Sequence, residues 1–203
     1  MQTFTTHIES VRPWALLLLL VAMVAGPVHP AEAQRMSKAP RTLMTFSGGA
    51  DEPAWVAVND GVMGGLSRSR PAVAEGQLRF TGTLSLENNG GFASVRTTGR
   101  VYDLSGATAM ILRVQGDGRT YQLRLATDAR IRRSAIAYGA EFQTTAGQWI
   151  EVRIPLASLV PTFRGRTLDG PPLDRARVEE IRLLIGDERQ GPFSLIVDWI
   201  NIE

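Results

Sequence analysis

Short stretches of alternating apolar and polar residues follow one another along the chain from residue 42 to its end. In the clearest stretch, Leu78, Phe80, Leu84 and Leu86 fall on one side of a predicted strand, with polar residues on the other. This period of two is expected for a sheet with one buried face. Turn residues separate such stretches roughly every 8–12 positions, and the pattern predicts about ten short strands, without a long helix, in an antiparallel β-sandwich.

Two local predictions refine this pattern. Residues 110–114 and 121–125 are predicted to form a hairpin around the turn at residues 116–118, because glycine and aspartate suit tight turns. Residues 161–172 contain several prolines and glycines and are predicted to form a long loop.

Large side chains on the predicted strands have two interpretations each. Trp55, Trp149 and Trp199 are predicted to lie in the core, because an indole buries a large area; the alternative is a platform on which a sugar ring stacks. Arginines on the strands are expected at the surface or in pairs on outward faces, with a grip on a partner carboxylate as the alternative. These arginines are Arg96, Arg119 and Arg124.

Two glycine-rich turns interrupt the strand pattern, one in the first loop (residues 55–67) and one in the second loop (residues 88–96). Glycine is costly in conformational entropy, so both loops are expected to need their shape, either as tight turns or for close approach to a partner. The candidate binding residues are Trp55, Asn59, Asp60, Gly61, Met63, Gly64, Gly65 and Ser67 in the first loop, and Asn88, Asn89, Gly90, Gly91 and Arg96 in the second.

Asp60 is predicted to cap its own turn by accepting hydrogen bonds from the backbone N–H groups of residues 61–63. The alternative is a contact with a partner or with a cation. Asn88 and Asn89 present the same choice, and their amides can also pair with a sugar hydroxyl. In a sandwich the two loops are expected to lie side by side.

The N-terminal part of the chain has the features of an export signal. Arg12 precedes the apolar run at residues 14–25, and residues 31–33 form an A-x-A cleavage site. The run is shorter than the roughly 20 residues of a membrane-spanning helix. Residues 1–33 are therefore predicted to be a signal peptide of an exported, periplasmic or secreted protein, with an uncleaved membrane anchor as the alternative. Residues 34–41 are a predicted linker, and residues 42–203 a single domain.

Composition narrows the chemistry of that domain. The chain has no cysteine, its two histidines are His7 and His29 in the signal segment, and its one lysine is Lys38 in the linker. A Ser-His-Asp triad, a cysteine nucleophile, a His/Cys zinc site and a Schiff-base lysine are therefore all excluded. A net charge of +2 does not favour nucleic acid. No cofactor or metal is expected, and an enzyme would need a carboxylate pair drawn from Asp60, Glu87, Glu141 and Asp187.

The motif Trp55-x-x-Val58-Asn59-Asp60-Gly61-Val62-Met63-Gly64-Gly65-x-Ser67 resembles the hallmark of the complex I intermediate-associated protein 30 family. Further matches follow in the same order, at residues 88–96, 116–121, 142–155, 163–165 and 191–193. The resemblance covers essentially the whole domain. It implies a galactose-binding-domain-like jelly roll, a fold shared with many carbohydrate-binding modules, and its mitochondrial members are assembly chaperones for respiratory complex I rather than enzymes.

The sequence as a whole predicts an exported, non-catalytic binding module. The family resemblance further implies that this module is an assembly or chaperone factor. Its partner would be an unidentified protein, such as a subunit of a membrane complex. The first alternative is a carbohydrate-binding module of the cell envelope, with a glycan as ligand. The second is a hydrolase with a carboxylate pair. Membrane contact is expected only if the leader is uncleaved.

Overall fold

The computed structural model describes residues 39–49, 51–131, 134–163 and 166–203. Short strands account for most of this part of the chain, and three single 3-10 turns connect some of them. In chain order the strands are β1 (Arg41–Met44), β2 (Ala54–Ala57), β3 (Arg68–Ala74), β4 (Gln77–Leu84), β5 (Ala93–Thr98), β6 (Ala109–Gln115), β7 (Thr120–Ile131), β8 (Ser134–Gln143), β9 (Trp149–Pro155), β10 (Val160–Phe163), β11 (Arg166–Thr167), β12 (Glu180–Ile185) and β13 (Gly191–Ile202).

The strands form two antiparallel sheets. Sheet A has the order β3-β4-β13-β6-β9, and β1 also pairs with β13. Sheet B has the order β11-β10-β8-β7-β12-β5-β2. Neighbouring strands in a sheet are often distant in the sequence; β13, for example, lies between β4 and β6. Each sheet therefore contains strands from both halves of the chain, as is usual in a sandwich. The predicted antiparallel β-sandwich is confirmed.

The predicted signal peptide (residues 1–33) and most of the predicted linker (residues 34–41) lie outside the described residues. β1 begins at Arg41, one residue before the predicted start of the domain. Within the part of the chain that the structure describes, no helix has the length and hydropathy needed to cross a bilayer.

The inner faces of the two sheets supply the core. Leu78, Phe80 and Leu84 are fully buried, and the Phe80 ring lies 6.3 Å from the Tyr121 ring of sheet B, centroid to centroid. The prediction that Leu86 shares this face is wrong, because β4 ends at Leu84 and Leu86 is 42% exposed. Alternation predicts a buried face only as far as the strand itself extends.

The predicted hairpin at residues 110–125 is also wrong. β6 belongs to sheet A and β7 to sheet B, so the chain crosses from one sheet to the other between them. A side chain from outside the turn directs this crossing: the Thr144 hydroxyl donates to the Arg119 carbonyl at 2.9 Å, and the Gly118 N–H donates to the same hydroxyl at 3.1 Å. Two strands around a glycine turn look alike in sequence whether they pair with each other or not.

The predicted loop at residues 161–172 contains regular structure. β10 and β11 pair as an antiparallel ribbon in which Thr162 faces Thr167 and Phe163 faces Arg166. The two residues between them lie outside the described part of the chain. β10 itself pairs with β8 and so extends sheet B to its edge.

Gly82 in β4 permits close packing against the neighbouring strands β3 and β13 of sheet A. A Cβ atom at this position would lie 2.0 Å from the Arg68 carbonyl oxygen and 2.7 Å from the Phe193 ring. We therefore expect Gly82→Ala to lower the free energy of unfolding by about 1–3 kcal/mol, as overpacking commonly does. Urea denaturation measures the change. The matched control is Gly106→Ala, whose Cβ would meet nothing within 4 Å, and equal stability of the two variants would contradict the packing argument.

Candidate functional site

The carboxylate of Asp60 joins the two glycine-rich loops. Asp60 begins a 3-10 turn and is fully buried. Its carboxylate accepts four hydrogen bonds, from the Ser67 N–H at 2.9 Å and the Ser67 hydroxyl at 2.5 Å, and from the N–H groups of Gly91 at 2.7 Å and Phe92 at 3.3 Å. Since Gly91 and Phe92 belong to the second loop, the expected side-by-side arrangement of the loops is confirmed.

The predicted donors to Asp60 are wrong. Instead of N–H groups at residues 61–63, more distant donors reach the carboxylate, and the local turn uses backbone acceptors: the Gly64 N–H donates to the Gly61 carbonyl and the Gly65 N–H to the Asp60 carbonyl, each at 3.1 Å. The alternative of a direct contact with a partner or cation does not fit a carboxylate that is enclosed and fully hydrogen-bonded. The Asp60 side chain holds the loops together from inside.

Two glycines make room for this carboxylate. A Cβ atom on Gly65 would lie 2.4 Å from the Asp60 carboxyl carbon, and one on Gly90 would lie 2.6 Å from its Oδ2 atom. A Cβ atom essentially never lies within 3.0 Å of a non-bonded heavy atom, so any larger residue at either position would push the loops apart. The close approach that the sequence predicts for a partner is here an approach of the chain to itself.

Asn59 and Ser67 extend the network into both sheets. The Asn59 side-chain oxygen accepts from the Ser69 hydroxyl of β3 at 2.6 Å and from the Ser94 N–H of β5 at 3.2 Å. The Ser67 hydroxyl accepts from the Ser85 N–H at 3.0 Å, just beyond β4. These bonds tie sheet A to sheet B at one end of the sandwich, and the first loop is fixed at both of its ends.

The environment of Asp60 favours its charged form. Burial by itself raises the pKa of a carboxyl, but the hydrogen bonds from the Ser67 hydroxyl and from the backbone of Gly91, Phe92 and Ser67 more than offset it. The pKa of Asp60 is therefore lowered from its ordinary value of 3.8. A carboxylate held in this state accepts protons poorly, so its arrangement suits structure better than acid–base catalysis.

The exposed part of the first loop is apolar. Val62 is 78% exposed, Met63 59% and Leu66 47%. Together with Gly61 and Gly64 they form what we call the loop tip (residues 61–66). The candidate residues Gly61, Met63 and Gly64 are exposed here, whereas the sequence interpretation missed Val62 and Leu66. Both are apolar residues in a turn, outside any predicted strand, and this could have indicated that their side chains are exposed.

The other candidate residues lie in three places. In the second loop, Asn88 and Asn89 are exposed and both adopt the left-handed conformation, with φ of 55° and 57°. Trp55 points inward and packs against Phe46, with ring centroids 6.2 Å apart. Arg96 lies on the outer face of sheet B and pairs with Glu180 at 3.1 Å.

The predicted core position holds for Trp55, which packs against the core, and is wrong for Trp149 and Trp199. Trp149 is 36% exposed, and the Arg113 guanidinium lies over its ring, 5.7 Å from the centroid. Trp199 faces Arg113 across the strand pair β13–β6. Because Leu112 and Val114 on either side of Arg113 are buried, these three side chains share the outer face of sheet A.

Three of the four acidic residues considered for catalysis, Asp60, Asp187 and Glu141, are already engaged. Asp187 forms a buried pair with Arg119, at 2.5 and 3.0 Å, and although burial raises the pKa of Asp187, these bonds lower it overall. Glu141 accepts a hydrogen bond from Gln122 at 3.0 Å on the outer face of sheet B. A general acid needs a raised pKa, which neither Asp60 nor Asp187 has. Among the described residues, no group of three or more potential ligands is placed to hold a metal ion.

Two packed antiparallel sheets, closed at one end by a buried carboxylate, define a jelly-roll β-sandwich of the kind found in carbohydrate-binding modules. The family 11 carbohydrate-binding module of the cellulosomal cellulase Lic26A-Cel5E of Clostridium thermocellum has this fold, with a TM-score of 0.60 and 14% identity over 80% of this chain and 93% of the module. The chain belongs to the complex I intermediate-associated protein 30 family, whose sequence profile matches residues 44–197.

Two further relatives support these assignments. The family 11 module from Clostridium thermocellum in complex with a β-1,3-1,4-mixed-linked tetrasaccharide matches with a TM-score of 0.61 and 14% identity, over 80% of this chain and 94% of the module. At 14% identity, this similarity shows a shared fold and nothing about the ligand. The mitochondrial complex I intermediate-associated protein 30 of Mus musculus is 28% identical over 204 residues, which cover 90% of this chain but 62% of the mouse protein.

Proposed function

We propose that the protein is an exported, non-catalytic binding module that acts as an assembly factor for a membrane complex and binds a protein partner through the loop tip. The observation that carries this proposal is the apolar tip itself, held on a rigid base by the Asp60 hydrogen bonds. A protein seldom exposes several large apolar side chains together unless they contact something. Family membership supports an assembly role.

Binding fits the chemistry of the domain better than catalysis does. Residues 39–203 contain no histidine, cysteine or lysine, so carboxylates would have to supply both acid and base. The buried carboxylates Asp60 and Asp187 are held in their charged form by internal donors. The loop tip, in contrast, offers a fixed apolar surface without any requirement for a proton-transferring group.

The kind of partner follows from the family. The name of the mouse relative links it to an intermediate of complex I, and we propose a comparable association with a subunit of a membrane complex for this chain. With the predicted export signal, the partner surface would lie outside the cytoplasm. Cell fractionation with N-terminal sequencing tests the location: a mature chain beginning after Ala33 in the exported fraction supports it, and an uncleaved cytoplasmic chain contradicts it.

The test of the loop tip is site-specific crosslinking in the full chain. A photoreactive residue at Met63 should yield an adduct with a membrane-complex subunit, and Met63→Asp should reduce recovery of that subunit at least ~10-fold, because a charge is buried without a partner. Val160, 43% exposed at the other edge of sheet B, provides matched crosslinking and Val160→Asp controls. Equal adducts from both positions, or none, would rule out the loop tip as the binding surface.

A second candidate function is carbohydrate binding on the outer face of sheet A. It is favoured by the exposed ring of Trp149 beside Arg113 and Trp199, since an indole face is a good stacking surface for a sugar ring. Binding on a glycan array that Trp149→Ala abolishes would support this function. An array without any signal would remove it and leave the protein-binding proposal unaffected.

A further inference from the structure

Three arginines lie side by side on the outer face of sheet B. Arg182 of β12 faces Arg96 of β5 on one side and Arg124 of β7 on the other, so the three occupy one register across adjacent strands. Their strand neighbours, such as Leu183 and Leu123, are fully buried in the core, which places the guanidinium groups on the solvent side. We call these three residues the arginine row.

The arginine row carries more positive charge than its neighbours neutralise. Glu180 accepts from the Arg182 Nε atom at 2.6 Å and from the Arg96 Nη1 atom at 3.1 Å, so one carboxylate serves two cations. Arg124 donates to the Gln122 amide oxygen at 2.8 Å, and Gln122 donates to Glu141 at 3.0 Å, so two carboxylates, Glu180 and Glu141, serve three guanidinium groups. Like charges directly opposite each other on a sheet are destabilising, so this arrangement has a cost in the isolated protein.

The surface beneath the row is recessed and lacks bulky side chains. Gly139 faces Arg124 from β8, and a Cβ atom there would lie 3.1 Å from the Arg124 Cγ atom, so the arginine stem lies across the glycine. Ala126 and Ala137 share this outer face and are nevertheless buried, at 1% and 6% exposure. Burial lowers the pKa of Arg124, as does the nearby charge of Arg182, and the charge of Glu141 only partly opposes them. The guanidinium groups of the row are therefore partly buried, and some of their N–H donors are not used within the described part of the protein.

One of these donors has no acceptor at all in the described structure. The Arg96 Nε atom is buried and lacks a hydrogen-bond partner among the described residues. A buried N–H group of this kind costs free energy until an acceptor reaches it. A guanidinium matches the two oxygens of a carboxylate in geometry and charge.

We propose that the arginine row binds an acidic segment of a protein partner, whose carboxylates lie across β5, β12 and β7. A peptide fits better than a sugar, because none of the residues that β5, β7, β8 and β12 place on this face is aromatic. The row also lies next to the first loop, since the Val58 N–H donates to the Ser94 carbonyl at 2.9 Å, two residues before Arg96. One partner can contact both surfaces. In taking that partner to be a protein, the inference rests on the proposed function.

The test measures binding of a fluorescent peptide of about ten glutamates to the full chain; extended, the peptide is long enough to cross the roughly 10 Å from β5 to β7. Replacing Arg124 and Arg182 together by glutamine should raise the Kd at least ~10-fold and reduce its salt dependence. Arg79→Gln, on the outer face of sheet A, is the matched control and should change the Kd less than ~2-fold. The thermal midpoint of Arg124→Gln should stay the same or rise, because repulsion is relieved.

Three results would overturn the inference: no binding to the wild-type chain, equal affinity of the double variant, or displacement of the peptide by inorganic phosphate as readily as by free glutamate peptide. The assay leaves the loop tip untouched. If the peptide fails to bind while Met63 still crosslinks to a membrane subunit, the inference fails and the proposed function stands.

Discussion

Replacing Asp60 by alanine is expected to lower the free energy of unfolding by about 3–5 kcal/mol, because the buried donors of Ser67, Gly91 and Phe92 all lose their acceptor. For a domain with a typical stability of about 5–15 kcal/mol, this is a large fraction of the total. Asp60→Asn keeps the size of the side chain but turns an NH2 group toward donors, and we expect a loss of about 2–3 kcal/mol. Urea denaturation at neutral pH measures both.

The effect of Asp60 should depend on pH in one direction. Hydrogen bonds lower the pKa of Asp60 below its value in the unfolded chain, in spite of the opposing effect of burial. Its contribution to stability is then complete above the ordinary value of 3.8 and is lost as the pH falls through the lower, folded-state value. The difference in stability between the wild type and Asp60→Asn should therefore stay constant from neutral pH to about pH 5 and shrink as the pH falls below 3.8.

The matched control for Asp60 is Asp128→Asn. The Asp128 side chain is 54% exposed and lies 4.0 Å from Arg177, so we expect a change within about 0.5 kcal/mol. A pH-independent loss in Asp60→Asn, or a loss as small as that of the control, would mean that the carboxylate does not hold the two loops together.

Replacing Arg119 by alanine is expected to cost about 3–5 kcal/mol, the usual effect of removing one partner from a buried ion pair. Arg119 and Asp187 have side chains only 6% and 8% exposed. The guanidinium also donates to the Pro192 carbonyl at 2.9 Å, so its loss leaves both this carbonyl and the Asp187 carboxylate without their partner. Thermal and urea unfolding should both show the change.

An exposed pair provides the comparison for Arg119. Arg79 and Glu75 are 2.5 Å apart with side chains 43% and 78% exposed. Arg79→Ala should cost less than about 1 kcal/mol, because solvent screens such pairs. If the two alanine variants were destabilised equally, the buried pair would contribute no more than a surface one, and the argument from burial would fail.

The strands could be predicted from the sequence because each of them carries its own period. Leu78, Phe80 and Leu84 reveal a buried face without knowledge of any other residue. The two glycine-rich loops and their family motif could be identified for the same reason, since their residues are close in the sequence. Exposure of Met63 also fits the candidate list.

Contacts between distant residues could not be predicted in this way. The donors to Asp60 lie 7 and 31 positions away, and Asp187 lies 68 positions from Arg119. Nothing in the local sequence indicates these contacts, so the pattern places Asp60 in its own turn and predicts a hairpin at residues 110–125. The arginine row has the same origin, because only the pairing of β12 with both neighbours brings Arg182 between Arg96 and Arg124.

The hydrogen bonds of Asp60 also have a consequence for folding. The carboxylate must close a segment of 31 residues, containing β3 and β4, before it meets the Gly91 N–H. Closing such a segment costs conformational entropy, and the pairing of β2 with β5 helps to offset this cost because it brings the second loop next to the first. If a partner binds the tip, as proposed, it would bind the folded chain, in which the two loops are joined, in preference to an unfolded one.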